Sequence, residues 1–212
     1  MTAVWQEQLL PGPAGLLQAR ALWRSGATRL AVVCHPHPQM GGSMDNKVVT
    51  TLGRYFRDRQ PPQSVLLFNY RGVGQSTGTY ADGVGELADL QAVIAAVQVQ
   101  QPSLRVVDLA GFSFGGGIAA LGAAALGQWF PSLQLGDVVL AAPAVTHFDL
   151  SQVSLPVGTQ VLVGEADEVI DPDAMIDWAT QRHLHLHTLP ETGHFFHGRL
   201  AALTQILRET LG

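Results

Sequence analysis

The sequence predicts an α/β fold: one mostly parallel, twisted sheet of seven or eight strands with helices on both faces and an antiparallel N-terminal edge. Short apolar runs bounded by turn residues alternate along the chain with segments of helical periodicity. Apolar residues make up 47% of the 212 residues and charged residues only 14%, which suits strands that are buried on both faces. A Pro- and Gly-rich turn near the N-terminus indicates the antiparallel edge.

The strands and helices can be placed one after another. Segments 4–10 and 16–23 flank the turn at 11–15 and predict a hairpin at the sheet edge. Six apolar runs predict the remaining strands, at 30–34, 65–69, 104–110, 138–142, 161–164 and 183–189. Apolar residues spaced three and four apart predict helices at 45–59, 84–100, 113–126, 172–180 and 196–211. No segment is long enough for a cap domain, so we expect a single domain over 1–212 with an open active face.

Charge and composition exclude several classes of partner. The net charge of -5 comes from scattered acids, and the Lys and Arg residues form no basic cluster, so we expect no nucleic-acid partner. No apolar run approaches the roughly 20 residues that a membrane span needs, and the N-terminus lacks the apolar stretch of a secretory signal. We therefore expect a cytoplasmic protein. As a separate expectation, the protein is a monomer or a homodimer. Its single cysteine, Cys34, ends an apolar run and is expected to be a buried hydrophobe.

A serine between a predicted strand and a predicted helix is the candidate nucleophile. Ser113 lies in the sequence Gly-Phe-Ser-Phe-Gly, with Gly111 and Gly115 two residues to either side. A sharp strand-to-helix turn crowds the backbone on both sides of the serine, and glycine removes the Cβ atoms that would clash. The alternative is an ordinary β-to-α turn with a helix-capping serine. The context favours a nucleophile elbow at Ser113.

Acyl transfer also needs backbone N–H donors for the developing oxyanion. Phe114, directly after the candidate nucleophile, is one expected donor. The second is expected in the loop after strand 30–34, where Pro36 and Pro38 have no N–H to offer, so His37 is the better candidate. The alternative for His35 and His37 is a pair of metal ligands, although no third ligand is evident.

The acid and the base should follow later strands, in the order serine, acid, histidine. Asp167 follows strand 161–164 and is the predicted acid; the rivals on the same loop are Glu165, Glu168 and Asp171. Two other acids fit less well, since Asp137 precedes a strand and Asp149 follows one only after several loop residues.

His194 follows the last strand and is the predicted base, with His197, expected one turn into the final helix, as the alternative. The remaining histidines alternate with leucines in the last strand, at His183, His185 and His187, and so share one side of it. That pattern predicts the polar face of an edge strand, and metal-assisted hydrolysis is its alternative.

A glycine-rich loop at 72–78 also follows a strand, but its glycine spacing is wrong for dinucleotide binding. Gly83 and Gly85 delay the next helix, so a bend is favoured over a phosphate site.

These motifs together resemble one family. The sequences His-Pro-His-Pro from residue 35, Asn-Lys-Val-Val from residue 46, Gly-Phe-Ser-Phe-Gly-Gly from residue 111 and Gly-His-Phe-Phe-His-Gly from residue 193 occur in order. With them the chain resembles, from about residue 30 to its end, the small, lidless bacterial serine α/β-hydrolases related to dienelactone hydrolases. The resemblance implies the α/β-hydrolase fold, a Ser113, Asp167, His194 triad, and His37 and Phe114 as oxyanion donors. We expect no cofactor.

The expected function is hydrolysis of carboxylic esters of small or soluble substrates through an acyl-enzyme. Dienelactone hydrolases proper have a cysteine nucleophile, so Ser113 points to a carboxylesterase-like activity instead. Thioester or lactone hydrolysis by the same triad is one alternative, and a non-catalytic ligand-binding module on the same fold is another.

Overall fold

A single eight-stranded sheet organises residues 4–212, the part of the chain that the computed structural model describes. Its strand order is β1-β2-β4-β3-β5-β6-β7-β8. The hairpin β1–β2 pairs antiparallel, β2 joins β4 antiparallel, and all the other neighbours are parallel. The predicted fold class is confirmed. The strands are β1 (Trp5–Gly12), β2 (Gly15–Leu22), β3 (Arg29–Cys34), β4 (Ser64–Phe68), β5 (Val106–Phe112), β6 (Gln134–Ala141), β7 (Gln160–Gly164) and β8 (His185–Leu189).

Within residues 4–212, five α-helices cover the sheet, and most begin where the sequence predicts. They are α1 (Lys47–Asp58), α2 (Val84–Gln100), α3 (Phe114–Trp129), α4 (Pro172–Gln181) and α5 (Leu200–Leu211). Helices α1 and α5 pack together, as do α2 and α3. Because parallel crossovers are right-handed, the strand order places α1 on one face of the sheet and α2 and α3 on the other. Helix α1 begins after Asn46, whose side chain accepts hydrogen bonds from the N–H groups of Val48 and Val49. None of the helices in the described part of the chain is both long and apolar enough to span a membrane.

Several predicted boundaries differ from those in the structure. Strand β6 begins at Gln134 rather than at residue 138, so Asp137 lies within the strand and does not precede it. Helix α3 ends at Trp129 rather than at residue 126.

Two further boundary errors lie at left-handed backbone positions. Helix α5 begins at Leu200 rather than at residue 196, because Phe196 and Gly198 have positive φ angles of 51° and 73° that no helix admits. His197 therefore lies in a turn and not inside the helix. Strand β8 likewise begins at His185, because His183 has a φ of 54° and belongs to the preceding turn.

A network of ion pairs links the amino ends of β3, β5 and β6. Asp108 on β5 is fully buried and pairs with Arg29 through oxygen–nitrogen distances of 2.6 and 2.7 Å. Asp137 on β6 binds both Arg29 and Arg59, and Arg59 also donates to the carbonyl of Leu211 at the end of α5. These acids brace the amino end of the sheet, so the loops that can carry chemistry are those at the carboxyl end.

Candidate active site

Ser113 occupies a strained turn between β5 and α3. Its φ of 58° and ψ of -120° lie outside the regions that non-glycine residues ordinarily adopt. The turn is held by backbone hydrogen bonds, since the Ser113 N–H donates to Ala141 and the Ser113 carbonyl accepts from Gly116 and Ala144. A serine held in this way presents its hydroxyl at the top of the sheet.

The flanking glycines are required by close backbone approach. A Cβ atom at Gly111 would overlap the carbonyl of Gly115, and one at Gly115 would overlap the carbonyls of Cys34 and His35. The second contact joins the elbow to the loop that follows β3. The glycine spacing thus allows both the turn and its contact with this loop.

A continuous hydrogen-bonded chain joins Ser113, His194 and Asp167, which follow β5, β8 and β7. The His194 Nε2 lies 2.9 Å from the Ser113 Oγ, and the His194 Nδ1 lies 2.7 Å from the Asp167 Oδ2. All three residues are buried: Ser113 and Asp167 are 8% exposed and His194 is 2% exposed. The three residues that the sequence predicts as a triad are therefore in direct contact.

The carboxylate of Asp167 is held in its ionised form. Burial favours the neutral acid, but the hydrogen bond with His194 and two backbone hydrogen bonds outweigh it and lower the pKa of Asp167. Those backbone donors are the N–H groups of Ile170 and Val169, each 2.8 Å from Oδ1. One oxygen of Asp167 is therefore anchored to its own loop, and the other faces His194.

The rival acids on this loop serve other contacts. Glu168 is exposed and accepts a hydrogen bond from the backbone N–H of His194, at 3.2 Å. Asp171 caps helix α4 by accepting from the N–H of Asp173, and Glu165 is exposed. Of the acids on this loop, Asp167 is the one hydrogen-bonded to the His194 ring. His197, the rival base, is exposed and stacks on the ring of Phe195.

The candidate oxyanion donors lie on the two segments that meet at the elbow. Phe114 is the first residue of α3, so no residue of that helix can accept from its N–H. His37 lies in the loop after β3, and its ring centroid is 5.0 Å from that of Phe114. The His37 carbonyl accepts from Met40 and Gly42, and this tight turn fixes the direction of the loop.

His35 has a structural role that the sequence pattern does not predict. It is fully buried, its Nδ1 lies 2.6 Å from the Pro36 carbonyl, and its Nε2 accepts from the backbone N–H of Tyr70 at 3.1 Å. Both ring nitrogens are therefore occupied, which is incompatible with the metal-ligand alternative. Burial lowers the pKa of His35 to about 4, although the bond to Pro36 opposes the shift. The first histidine of the His-Pro-His-Pro motif thus links two loops beside the site.

Replacing His35 with glutamine is expected to reduce the pH dependence of stability. The ring ionises at 6.5 in the unfolded chain and at about 4 in the folded one, so its contribution is complete above pH 6.5 and declines as the pH falls toward 4. Between pH 6.5 and pH 4 the ring therefore loses about 3 kcal/mol of its contribution to the free energy of unfolding. Urea unfolding of both proteins at pH 7 and at pH 4 measures this effect. The difference in unfolding free energy between wild type and variant should be about 3 kcal/mol smaller at pH 4 than at pH 7. Parallel pH curves for the two proteins would contradict the assignment.

The histidines of the last strand contact a glutamine on the neighbouring strand. Gln160 on β7 lies 3.1 Å from the Nδ1 of His185 and 2.7 Å from the Nε2 of His187. β8 is the edge strand, as predicted. Across residues 4–212, no three His, Cys, Asp or Glu side chains lie close enough to hold a metal ion. The three-histidine metal site considered from the sequence does not form, because His183 lies outside the strand.

The glycine-rich loop at 72–78 is fastened to the N-terminal hairpin. The Ser76 hydroxyl donates to the Asn69 carbonyl and accepts from the N–H of Gln18 on β2. The Gln18 side chain accepts in turn from Asn69 and from the Gln75 N–H. A loop bound to β2 in this way forms a bend, as the glycine spacing predicts.

The sequence alone assigns no role to three aromatic side chains near the site. Tyr80 and His147 contact the ring of His37, and Phe195 contacts the ring of His194. Each lies in a loop and belongs to no periodic pattern. Only the position of Phe195, next to the predicted base, could have drawn attention to it.

Comparison with known proteins gives a consistent group of relatives. No protein-family model matches the sequence. An uncharacterized protein of Rickettsia prowazekii is 30% identical over 181 residues, which span 78% of this chain and 68% of that protein. An α/β serine hydrolase without a lid from Xanthomonas campestris is 36% identical and superposes with a TM-score of 0.86, covering 100% of this chain and 94% of its own. An α/β serine hydrolase homologue from Coxiella burnetii is 32% identical, with a TM-score of 0.86 and coverage of 98% and 97%.

Proposed function

The chain belongs to the α/β serine hydrolases without a lid, and we propose that it hydrolyses carboxylic esters of small or soluble substrates through an acyl-enzyme on Ser113. The observation that carries the proposal is the unbroken chain of hydrogen bonds from the Ser113 Oγ through His194 to Asp167. In the proposed roles, Ser113 is the nucleophile, His194 the general base and acid, and Asp167 the group that orients the imidazole.

The steps follow from this arrangement. His194 takes the proton of Ser113 as Oγ attacks the ester carbonyl, and the N–H groups of His37 and Phe114 stabilise the developing oxyanion. Asp167 stabilises the imidazolium, which then protonates the departing alcohol. Water then attacks the acyl-enzyme by the same steps, with His194 taking its proton, and releases the carboxylic acid. The low pKa of Asp167 supports its role, because an ionised carboxylate is needed beside the imidazolium.

Cysteine chemistry of the dienelactone-hydrolase kind finds no support here. Cys34 is the only cysteine in the sequence, and it is fully buried at the end of β3. Burial raises the pKa of its thiol to about 12, so almost none of it is thiolate at neutral pH. A thioester or lactone would be attacked by the same Ser113 oxygen, and the relative kcat/KM for matched ester, thioester and lactone substrates ranks the three classes.

A fluorophosphonate probe is expected to label Ser113 rapidly. The reaction needs an activated serine but no knowledge of the substrate, because the probe's phosphorus replaces the ester carbonyl. Intact-protein and peptide mass spectrometry would locate a single adduct on the peptide that contains residue 113. Ser113→Ala should not be labelled, whereas Ser132→Ala, a change at an exposed serine after α3, should be labelled like wild type. A wild-type protein that resists the probe would indicate a ligand-binding module rather than a hydrolase.

A further inference from the structure

Aromatic side chains border the candidate nucleophile in two separate groups. The first, which we name the His37 wall, consists of the rings of His37, Tyr80 and His147, with Phe114 at its base. The centroid of His37 lies 4.9 Å from Tyr80, 5.0 Å from Phe114 and 5.6 Å from His147. Tyr80 is half-buried and His147 is exposed, so both rings have surface to offer. Burial, and then the proximity of His147, lower the pKa of His37, so this ring is mainly neutral at pH 7.

The second group is centred on Phe195. Its ring stands edge-on to His194 with centroids 5.1 Å apart, and it stacks on His197 at 5.7 Å. Phe195 is 41% exposed, whereas its neighbour His194 is only 2% exposed. Phe112 also contacts the His194 ring but is fully buried. Phe195 is therefore the phenylalanine beside the candidate base that has free apolar surface.

The strand order places His37 and Tyr80 on one side of Ser113 and Phe195 on the other. The loops after β3 and β4 carry His37 and Tyr80, and the loop after β8 carries His194 and Phe195. Ser113 follows β5, which lies between them in the order β4-β3-β5-β6-β7-β8. His147 comes from the loop after β6 and joins the His37 wall through ring contacts of 5.6 Å with His37 and Phe114. Since neighbouring strands are about 4.8 Å apart, a molecule bound at Ser113 can reach one group with each of its ends.

The chemistry of ester cleavage decides which end lies on which side. His194 must deliver a proton to the leaving oxygen, so that oxygen comes within about 3 Å of its Nε2. The alcohol part of the ester is then on the β8 side, next to Phe195. The carbonyl oxygen points to the N–H groups of His37 and Phe114, and the acyl substituent is left with the β3–β4 side, where the His37 wall lies.

We propose that Phe195 forms the contact surface for the alcohol, that Tyr80 and His147 form the contact surface for the acyl group, and that the substrates are esters of aromatic or conjugated acids. A planar acyl group can pack against the rings of the wall in offset or edge-on geometry. The inference rests on the proposed esterase function. In the reaction, the Ser113 Oγ–acyl bond forms as the acyl–alcohol bond breaks, and the serine proton leaves with the alcohol. Water then supplies one proton and the hydroxyl that releases the acid.

Four esters separate the two surfaces: ethyl acetate, phenyl acetate, ethyl benzoate and phenyl benzoate. The ratio of kcat/KM for phenyl over ethyl esters reports alcohol selectivity, and the ratio for benzoates over acetates reports acyl selectivity. Dividing each ratio of a variant by that of wild type removes the intrinsic reactivity of the esters.

Phe195→Ala is expected to lower alcohol selectivity about 2- to 10-fold and to leave acyl selectivity unchanged. Tyr80→Leu, and separately His147→Leu, are expected to show the reverse pattern with a similar magnitude. The ring-retaining variants Phe195→Tyr and Tyr80→Phe are matched controls and should keep both selectivities. Circular dichroism and thermal melting would check that each variant is folded.

The inference would be overturned if Phe195→Ala changed acyl selectivity while Tyr80→Leu and His147→Leu changed alcohol selectivity. Equal changes in both selectivities for every variant would also overturn it. A wild-type protein that cleaves acetates but not benzoates would overturn the proposed substrate class alone. Failure of wild type to hydrolyse any of the four esters or to react with a fluorophosphonate would instead reject the esterase function. The results therefore distinguish an error in the orientation of the substrate from an error in the reaction.

Discussion

Replacing Ser113 with alanine is expected to lower kcat for a short-chain aryl ester by a factor on the order of 10⁴ to 10⁶. The acyl-enzyme cannot form without the Oγ atom, and His194 then has no hydroxyl to deprotonate. The residual rate would come from direct attack of water on the bound ester, with the oxyanion donors still stabilising the developing charge. Burst and steady-state release of p-nitrophenol from its acetate measures the loss.

The change should leave the fold intact, so the loss of turnover can be attributed to chemistry. The side-chain hydrogen bond of Ser113 is the one to the His194 Nε2, and its backbone contacts with Ala141 and Ala144 do not depend on the hydroxyl. Alanine tolerates the strained backbone of the elbow as serine does. Ser132→Ala is the matched control, since its hydroxyl accepts a single surface hydrogen bond from Gln98. Turnover within tenfold of wild type in Ser113→Ala would refute the nucleophile assignment.

Replacing Asp167 with asparagine is expected to lower kcat about 10⁴-fold while barely changing the structure of the loop. Asparagine can keep an oxygen at the Oδ1 position, where the N–H groups of Val169 and Ile170 donate. Its amide nitrogen then faces the His194 Nδ1 and donates to it. This places the imidazole proton on Nε2, so the ring can no longer accept the proton of Ser113.

The neighbouring acids provide the controls for this second change. Asp171→Asn alters the cap of α4 and should leave turnover close to that of wild type. Glu168→Gln removes the carboxylate that accepts from the His194 N–H, and it tests whether a second acid can act in place of Asp167. If Asp167→Asn retains most of the wild-type kcat and Glu168→Gln does not, the acid has been misassigned. Pre-steady-state kinetics would show the defect of Asp167→Asn in the acylation step.

The fold could be predicted from the sequence because its signals are local. Strand and helix periodicities at positions such as 65–69 and 84–100 reflect burial patterns that each segment carries by itself. The elbow at Ser113 could be found because crowding of its backbone requires glycine at positions 111 and 115. The order of serine, acid and histidine then located Asp167 and His194, since each follows a strand whose carboxyl end must lie at the same edge.

The boundaries at His197 and His183 could not be predicted in the same way. Both errors arise at residues with positive φ or next to them, where the backbone conformation of a non-glycine residue depends on its surroundings. The alternation of His183, His185 and His187 suggested three side chains on one strand, but only the last two belong to β8. Periodicity alone therefore overestimated the length of both elements.

The fold class, the elbow and the candidates Ser113, Asp167 and His194 could be inferred from the amino-acid sequence, because spacing and backbone sterics are properties of consecutive residues. Tertiary packing was needed to show that these three side chains touch and that His35 links two loops, and to place the loops that carry Tyr80 and Phe195 on opposite sides of β5. Such contacts join loops from strands far apart in the chain. Their geometry is set by the strand order and packing of the whole sheet, which no short segment encodes.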